Sequence, residues 1–157
     1  MQWTEAYATT RQRLLAQAET FDDRAAKVAV PALPGWSVKD AYAHLTGVCA
    51  DVLDGNLDGS GTPAWTARQV TERAERPLVA VCAEWSDRGA EIDGWLAAAD
   101  ARAAFLCYDV WSHEQDIRGR SGWRGTATMS VSITWWRRHS RRSIAAWPRR
   151  ASPRCAW

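Results

Sequence analysis

The sequence predicts an all-α protein, an antiparallel four-helix bundle followed by an irregular, poorly ordered basic segment. Three observations predict it. Apolar side chains between residues 3 and 118 recur at three- and four-residue steps, and no stretch there alternates as a strand would. Proline and glycine interrupt that repeat at residues 30–35 and 54–63, which leaves long helical stretches joined by short connectors. The charge then changes character. Residues 1–116 hold all 18 acidic side chains against ten basic ones, a net −8, whereas residues 117–157 carry ten basic side chains and no acid, a net +10. The division that follows is a helical bundle over residues 1–119 and an Arg/Trp-rich segment over 120–157 that is not a domain.

The first helix is expected over residues 3–28, where Tyr7, Leu14, Leu15, Ala18, Phe21 and Ala25 alternate with Arg11, Arg13 and Glu19. The proline-rich connector at 30–35 cannot continue it. Ser37 opens the second helix, and Asp40 three residues on gives capping-box spacing, with Asp where Glu or Gln is usual. Trp36 stands where a hydrophobic staple would reach Ala41. This helix runs to about Leu53 and carries His44. After the glycine-rich loop at 54–63, a third helical region starts near Pro63, bends or breaks at Pro77 and resumes to about Ala98, weakened by Gly89 and Gly94. The fourth helix is expected over 100–118, with Ala104, Leu106, Cys107, Val110 and Trp111 on apolar faces.

A length of 157 residues fits one domain with a serviceable core. Its 46 % apolar and 24 % charged residues are ordinary for a soluble globular chain. No apolar run approaches the roughly 18–20 residues that span a bilayer, and the N-terminus lacks the basic and apolar regions of a signal peptide. A cytoplasmic protein with no membrane partner is the expectation. Cys49, Cys82, Cys107 and Cys155 form no CxxC pair and sit singly within the chain, so reduced thiols are expected rather than disulfides or a cysteine metal site.

One segment is rich in chemistry. Asp109 and His113 lie four residues apart, which on a helix places both on one face about 6 Å apart along the axis. This spacing lets one helix offer a carboxylate and an imidazole to a single metal ion. His44, from the second helix, would supply a third ligand across the bundle core. Two His and one carboxylate leave a fourth position open, as in catalytic zinc sites. Asp116 shares the face of Asp109 and His113 and is a candidate to orient His113; it reads equally as a partner for a solvent-facing arginine. The bland alternatives stay open at this point. An Asp-x-x-x-His pair is common on helix surfaces, His44 between Ala43 and Leu45 reads also as a satisfied core or surface histidine, and Asp40 is accounted for by capping.

The motifs narrow the choice. Pro31-Ala-Leu-Pro-Gly-Trp-Ser-Val-Lys-Asp-Ala-Tyr-Ala-His-Leu-Thr-Gly47 resembles the second-helix signature of the mycothiol-dependent maleylpyruvate isomerase family, a branch of the DinB-like metal-binding bundles. Trp65-Thr-Ala-Arg-Gln-Val-Thr-Glu-Arg73 with Glu84-Trp85 is similar to its third-helix pattern, and Tyr108-Asp-Val-Trp-Ser-His-Glu-Gln-Asp-Ile-Arg118 to its fourth-helix motif. The resemblance covers about residues 5–120. It implies a DinB-like bundle in which His44, Asp109 and His113 bind a divalent metal, zinc above others, with Asp109 standing where the isomerase has Glu. It implies mycothiol as thiol cosubstrate and a small electrophile as substrate. The activity would be addition of thiolate to the electrophile, as an isomerase or an S-transferase. The cysteines are not needed as nucleophiles: Cys107 and Cys49 face away from the ligand positions and read as core. A non-catalytic or degenerate metal-binding bundle with a structural or regulatory role is the alternative.

Beyond Arg120 the resemblance stops. The segment contains Trp123, Trp135, Trp136, Trp147 and Trp157 among many Arg and Ser, carries His139, and alternates weakly as a strand over 126–134. Nucleic-acid binding is one reading of such a basic, aromatic stretch, but residues 1–116 at −8 would repel a polyanion. The other reading is a segment without selected structure, the product of a shifted reading frame in a GC-rich gene.

Overall fold

The structure, a computed structural model, describes residues 2–99 and 101–120. These are all-helical: α1 (Gln2–Ala18), α2 (Asp23–Ala26), α3 (Val38–Asp54), α4 (Pro63–Thr71), α5 (Leu78–Asp87), α6 (Gly89–Ala98) and α7 (Ala101–Arg120). No helix among them is long and apolar enough to cross a membrane. The expectations for residues beyond 120, including the strand at 126–134, His139 and Cys155, lie outside the described residues.

The capping box expected at Ser37 forms. Ser37 Oγ accepts from the Asp40 amide at 3.2 Å, and Asp40 Oδ2 accepts from the Ser37 amide at 2.8 Å. Both otherwise orphaned donors at this end are satisfied, an arrangement that contributes about 1 kcal/mol. Gly55 closes α3 in the left-handed region at φ 77°. Ahead of α3, the connector folds back on itself. Val30 N donates to Trp36 O at 2.9 Å, Val38 N to Val28 O at 3.0 Å, and Ala29 and Ser37 form an isolated bridge. This clamp fixes where Trp36 sits.

Two expected helices are interrupted. The first was expected to run unbroken over 3–28; instead α1 ends at Ala18 and the four-residue α2 begins at Asp23. The reason is local hydrogen bonding that competes with the helix. Thr20 Oγ1 donates to the Gln17 carbonyl at 2.7 Å, and Asp22 caps a new start by accepting from Ala25 N at 2.7 Å. The third region divides into α4, α5 and α6. Thr62 caps α4 with Pro63 in its first turn, and Pro77, which has no amide proton, precedes α5. The turn between them is held by Lys39 Nζ on the carbonyls of Ala74 and Arg76, and by Arg73 and Arg76 on Glu84. At Arg88 the backbone leaves helical geometry (φ −87°, ψ 6°), and its guanidinium reaches out to Asp54 at 2.7 Å and Glu91 at 3.2 Å. The fourth helix is close to expectation, ending at Arg120 rather than 118; residue 100, its expected start, is not described.

In packing, α1 lies along α7, α3 lies against α4 and α5, and α3 also meets α6 and α7. Leu14, Tyr42, Trp85, Ile92, Leu106 and Ile117 are fully buried between them, each removing enough apolar surface from water for about 2–3 kcal/mol. Their polar atoms are satisfied: Tyr42 Oη donates to Leu14 O at 2.7 Å, and Trp85 Nε1 donates to Tyr7 Oη at 3.1 Å. The α3–α7 face carries the side chains singled out by the sequence.

Candidate metal centre

Four residues per step along α7 bring Asp109 and His113 together, and the packing of α3 on α7 brings His44 to them. One potential ligand atom from each of the three lies within 4.8 Å of the others. Asp109 bridges the two rings: Oδ2 is 3.7 Å from His44 Nε2 and Oδ1 is 3.7 Å from His113 Nε2. The rings stand edge to face with centroids 5.1 Å apart. Residue 44 thus lies beside the 109/113 pair.

At 3.7 Å these contacts are longer than hydrogen bonds. The far side of each ring explains their chemistry. His44 Nδ1 lies 2.8 Å from Gln69 Oε1, and Gln69 Nε2 donates to Asp51 Oδ2 at 2.7 Å. Asp51 in turn accepts from Arg68 Nη2, which lies 2.9 Å from both carboxylate oxygens. A carboxylate only accepts, so the amide nitrogen of Gln69 must face Asp51 and its oxygen must face His44. His44 Nδ1 is therefore the protonated nitrogen, and in the neutral ring Nε2 presents a lone pair toward Asp109. His113 Nδ1 lies 3.2 Å from Asp116 Oδ2. It is close enough for electrostatic pairing, although no acceptor meets it at hydrogen-bonding angle. A proton on that nitrogen likewise leaves the Nε2 lone pair toward Asp109. Of the two readings of Asp116, the partner of His113 is the one the geometry favours.

Burial and neighbouring charge shift two of the three donors. Burial opposes ionisation of Asp109, but attraction to His44 and then His113 in their protonated forms outweighs it, and its carboxyl lies below its ordinary value. Burial pushes His113 below the ordinary imidazole value, with Asp109 pulling the other way and His44 reinforcing the fall. With the ring proton of each histidine on Nδ1, two imidazole lone pairs and a carboxylate face one small volume, an arrangement suited to a cation. Zinc–ligand bonds of about 2.0–2.1 Å at tetrahedral angles hold donors about 3.4 Å apart. The two 3.7 Å separations run to different oxygens of Asp109, and one ligand atom from each residue lies within 4.8 Å of the others, so binding such an ion would draw the three donors inward.

Some site residues carried no signal for the site in the sequence. Trp36, expected as a staple toward Ala41, packs over both imidazoles, with centroids 5.2 Å from His44 and 6.0 Å from His113. Gln69 and Asp51 are almost fully buried, yet neither stood out. The available signal for Gln69 was its position: Trp65, Gln69 and Arg73 follow at four-residue steps, and a polar residue on a core-facing stripe needs a partner. Asp40 is spent on the cap, as expected. Cys49, Cys82 and Cys107 are free thiols pushed up to about 12 by burial, which removes them as nucleophiles at neutral pH. A separate cavity of about 510 Å³ lies among Leu15, Phe21, Leu78, Val79 and Cys82, and no triad residue lines it.

A scan of protein-family models and searches of curated proteins and of solved structures give no match to this chain.

Proposed function

We propose that the chain is a cytoplasmic, divalent-metal-binding, mycothiol-dependent enzyme of the maleylpyruvate isomerase type, a DinB-like four-helix bundle that adds a thiol to a small electrophile. Zinc is the favoured ion. The observation that carries the reading is the orientation of the donors: His44 Nε2, His113 Nε2 and the Asp109 carboxylate all face one volume, while the Nδ1 atoms face Gln69 and Asp116. The bundle reading is supported by treating α5 and α6 as one rod interrupted at Arg88, which with α1, α3 and α7 makes four rods around a shared core.

When bound, a divalent ion supplies a positive charge that stabilises a thiol as its anion at neutral pH. The protein's residues do the rest. Three protein ligands leave a position for an exogenous group, Trp36 covers one side of the two imidazoles, and Asp116 orients His113. The second reading, a non-catalytic metal-binding bundle with a structural or regulatory role, is favoured by the 510 Å³ cavity lying away from the triad.

The test is metal content and turnover together. Purified protein is expected to hold about one equivalent of zinc, and His113→Ala to lose it. A His44→Ala, His113→Ala double variant that keeps its full metal content would falsify the site. Mycothiol-dependent conversion of an electrophile by the loaded protein supports the enzyme, and metal binding without any such turnover supports the second reading.

A further inference from the structure

We infer that Gln69 is a positioning residue for the metal centre: it fixes His44 as the Nδ1–H tautomer, and Asp51, held by Arg68, fixes the amide that does so. This rests on the proposed metal site and adds to it a device that spans α3 and α4. The chain of atoms is continuous. Arg68 Nη2 donates to both Asp51 oxygens at 2.9 Å, Asp51 Oδ2 accepts from Gln69 Nε2 at 2.7 Å, and Gln69 Oε1 faces His44 Nδ1 at 2.8 Å.

An isolated glutamine would not specify a tautomer. Its amide can present either the oxygen or the nitrogen to a ring nitrogen, and the two orientations have nearly the same shape. With the oxygen inward, His44 keeps its Nε2 lone pair for a cation. With the nitrogen inward, Nδ1 becomes the acceptor, the proton moves to Nε2, and N–H points at Asp109 in place of a lone pair. Asp51 removes the ambiguity because a carboxylate opposite the amide accepts only from nitrogen. The inner part of the relay is buried, with Gln69 0 % and Asp51 4 % exposed, so water cannot substitute for the Gln69–Asp51 contact, whereas the Arg68 side chain at its outer end is 40 % exposed.

The fit of α4 against α3 supports the same conclusion independently. Gly47 sits one turn from His44 on α3, and a Cβ placed there would lie 2.5 Å from Gln69 Cβ and 2.7 Å from Cγ. The absent side chain is what lets the glutamine approach its histidine. The relay is neutral where it meets the ring, unlike a direct carboxylate partner, so His44 is oriented without a second negative charge beside that of Asp109.

The experiment compares Asp51→Asn and Gln69→Met with the wild type. Two quantities are read: zinc affinity by competition with a chromogenic chelator, and the His44 tautomer in metal-free protein from imidazole ¹⁵N shifts above pH 8. The wild type is expected to be the Nδ1–H form. Asp51→Asn, which lets the amide reverse, is expected to populate Nε2–H and to weaken zinc by about ten- to a hundredfold. Gln69→Met is expected to weaken zinc over the same range. Far-UV circular dichroism separates these effects from loss of fold, and the tautomer in the wild type alone decides the case if a variant does not fold. A wild-type Nε2–H tautomer, or folded variants with unchanged tautomer and zinc affinity within twofold, overturns the inference and leaves the metal site standing. Wild-type protein with the Nδ1–H form and no zinc affinity overturns the metal site and leaves the relay.

Discussion

At the residue scale the centre depends on one glycine as much as on its ligands. Gly47 is helical and needs no special backbone conformation; its role is clearance for Gln69. Gly47→Ala raises intrinsic helix propensity by about 1 kcal/mol, so an exposed position would gain stability. Here the added methyl overlaps Gln69, and overpacking of this kind costs about 1–3 kcal/mol. The expected outcome is a lower urea midpoint together with weaker zinc binding, since moving Gln69 moves the partner of His44. A rise in the midpoint with unchanged zinc affinity would mean that α4 shifts freely and that the clearance is not needed.

At the scale of elements, the turn between α4 and α5 is an electrostatic fastening. Glu84 on α5 accepts from Arg73 and Arg76. Burial opposes its ionisation, but Arg73 and then Arg76 outweigh it, and its carboxyl sits below the ordinary value. A carboxyl whose folded value is depressed contributes stability that is complete above the unfolded value, about 4.3, and is lost as pH falls through the folded one. The difference in urea midpoint between wild type and Glu84→Gln is therefore expected to be largest near pH 7 and to shrink below about pH 4. A gap that stays constant from pH 7 to pH 3 would show that the three charges contribute nothing net. The interruption at Arg88 is a similar case: its pairs with Asp54 and Glu91 draw the side chain outward where α5 gives way to α6.

For the molecule as a whole, the α1–α7 contact sets how the ligand helix is presented. Glu114, fully buried on α7, accepts from Arg13 of α1 at 2.7 and 2.8 Å and from Arg118 at 2.8 Å. The Arg13 guanidinium is held above its ordinary value, first by this hydrogen bond. Removing the acid from such a site costs about 3 kcal/mol, discounted from the upper figures because Arg13 is partly exposed. Glu114→Ala is expected to lower stability by that amount, and Arg13→Ala with Glu114→Ala by clearly less than the sum of the two single changes. A double-mutant cycle in urea measures it, and strict additivity would show that the pair is not coupled.

What the sequence determined by itself was local. The helical repeat, the Ser37 cap, the breaks at proline and glycine, and the Asp109/His113 spacing all follow from residues within a few positions of one another. The misreadings have another cause: Asp22 as a cap that splits the first helix, a local contact, and Arg88 as the end of α5, paired with distant Asp54, draw on hydrogen bonds and ion pairs that the apolar periodicity does not encode. Whether His44 meets Asp109 and His113, and whether Gln69 and Asp51 stand behind it, was decided by the tertiary structure. Those groups come from three helices, α3, α4 and α7, and their distances are fixed by how α3 packs on α7 and how Gly47 lets α4 close on α3. A helix repeat states which face is apolar; only close packing of three such faces fixes the angstroms on which coordination depends.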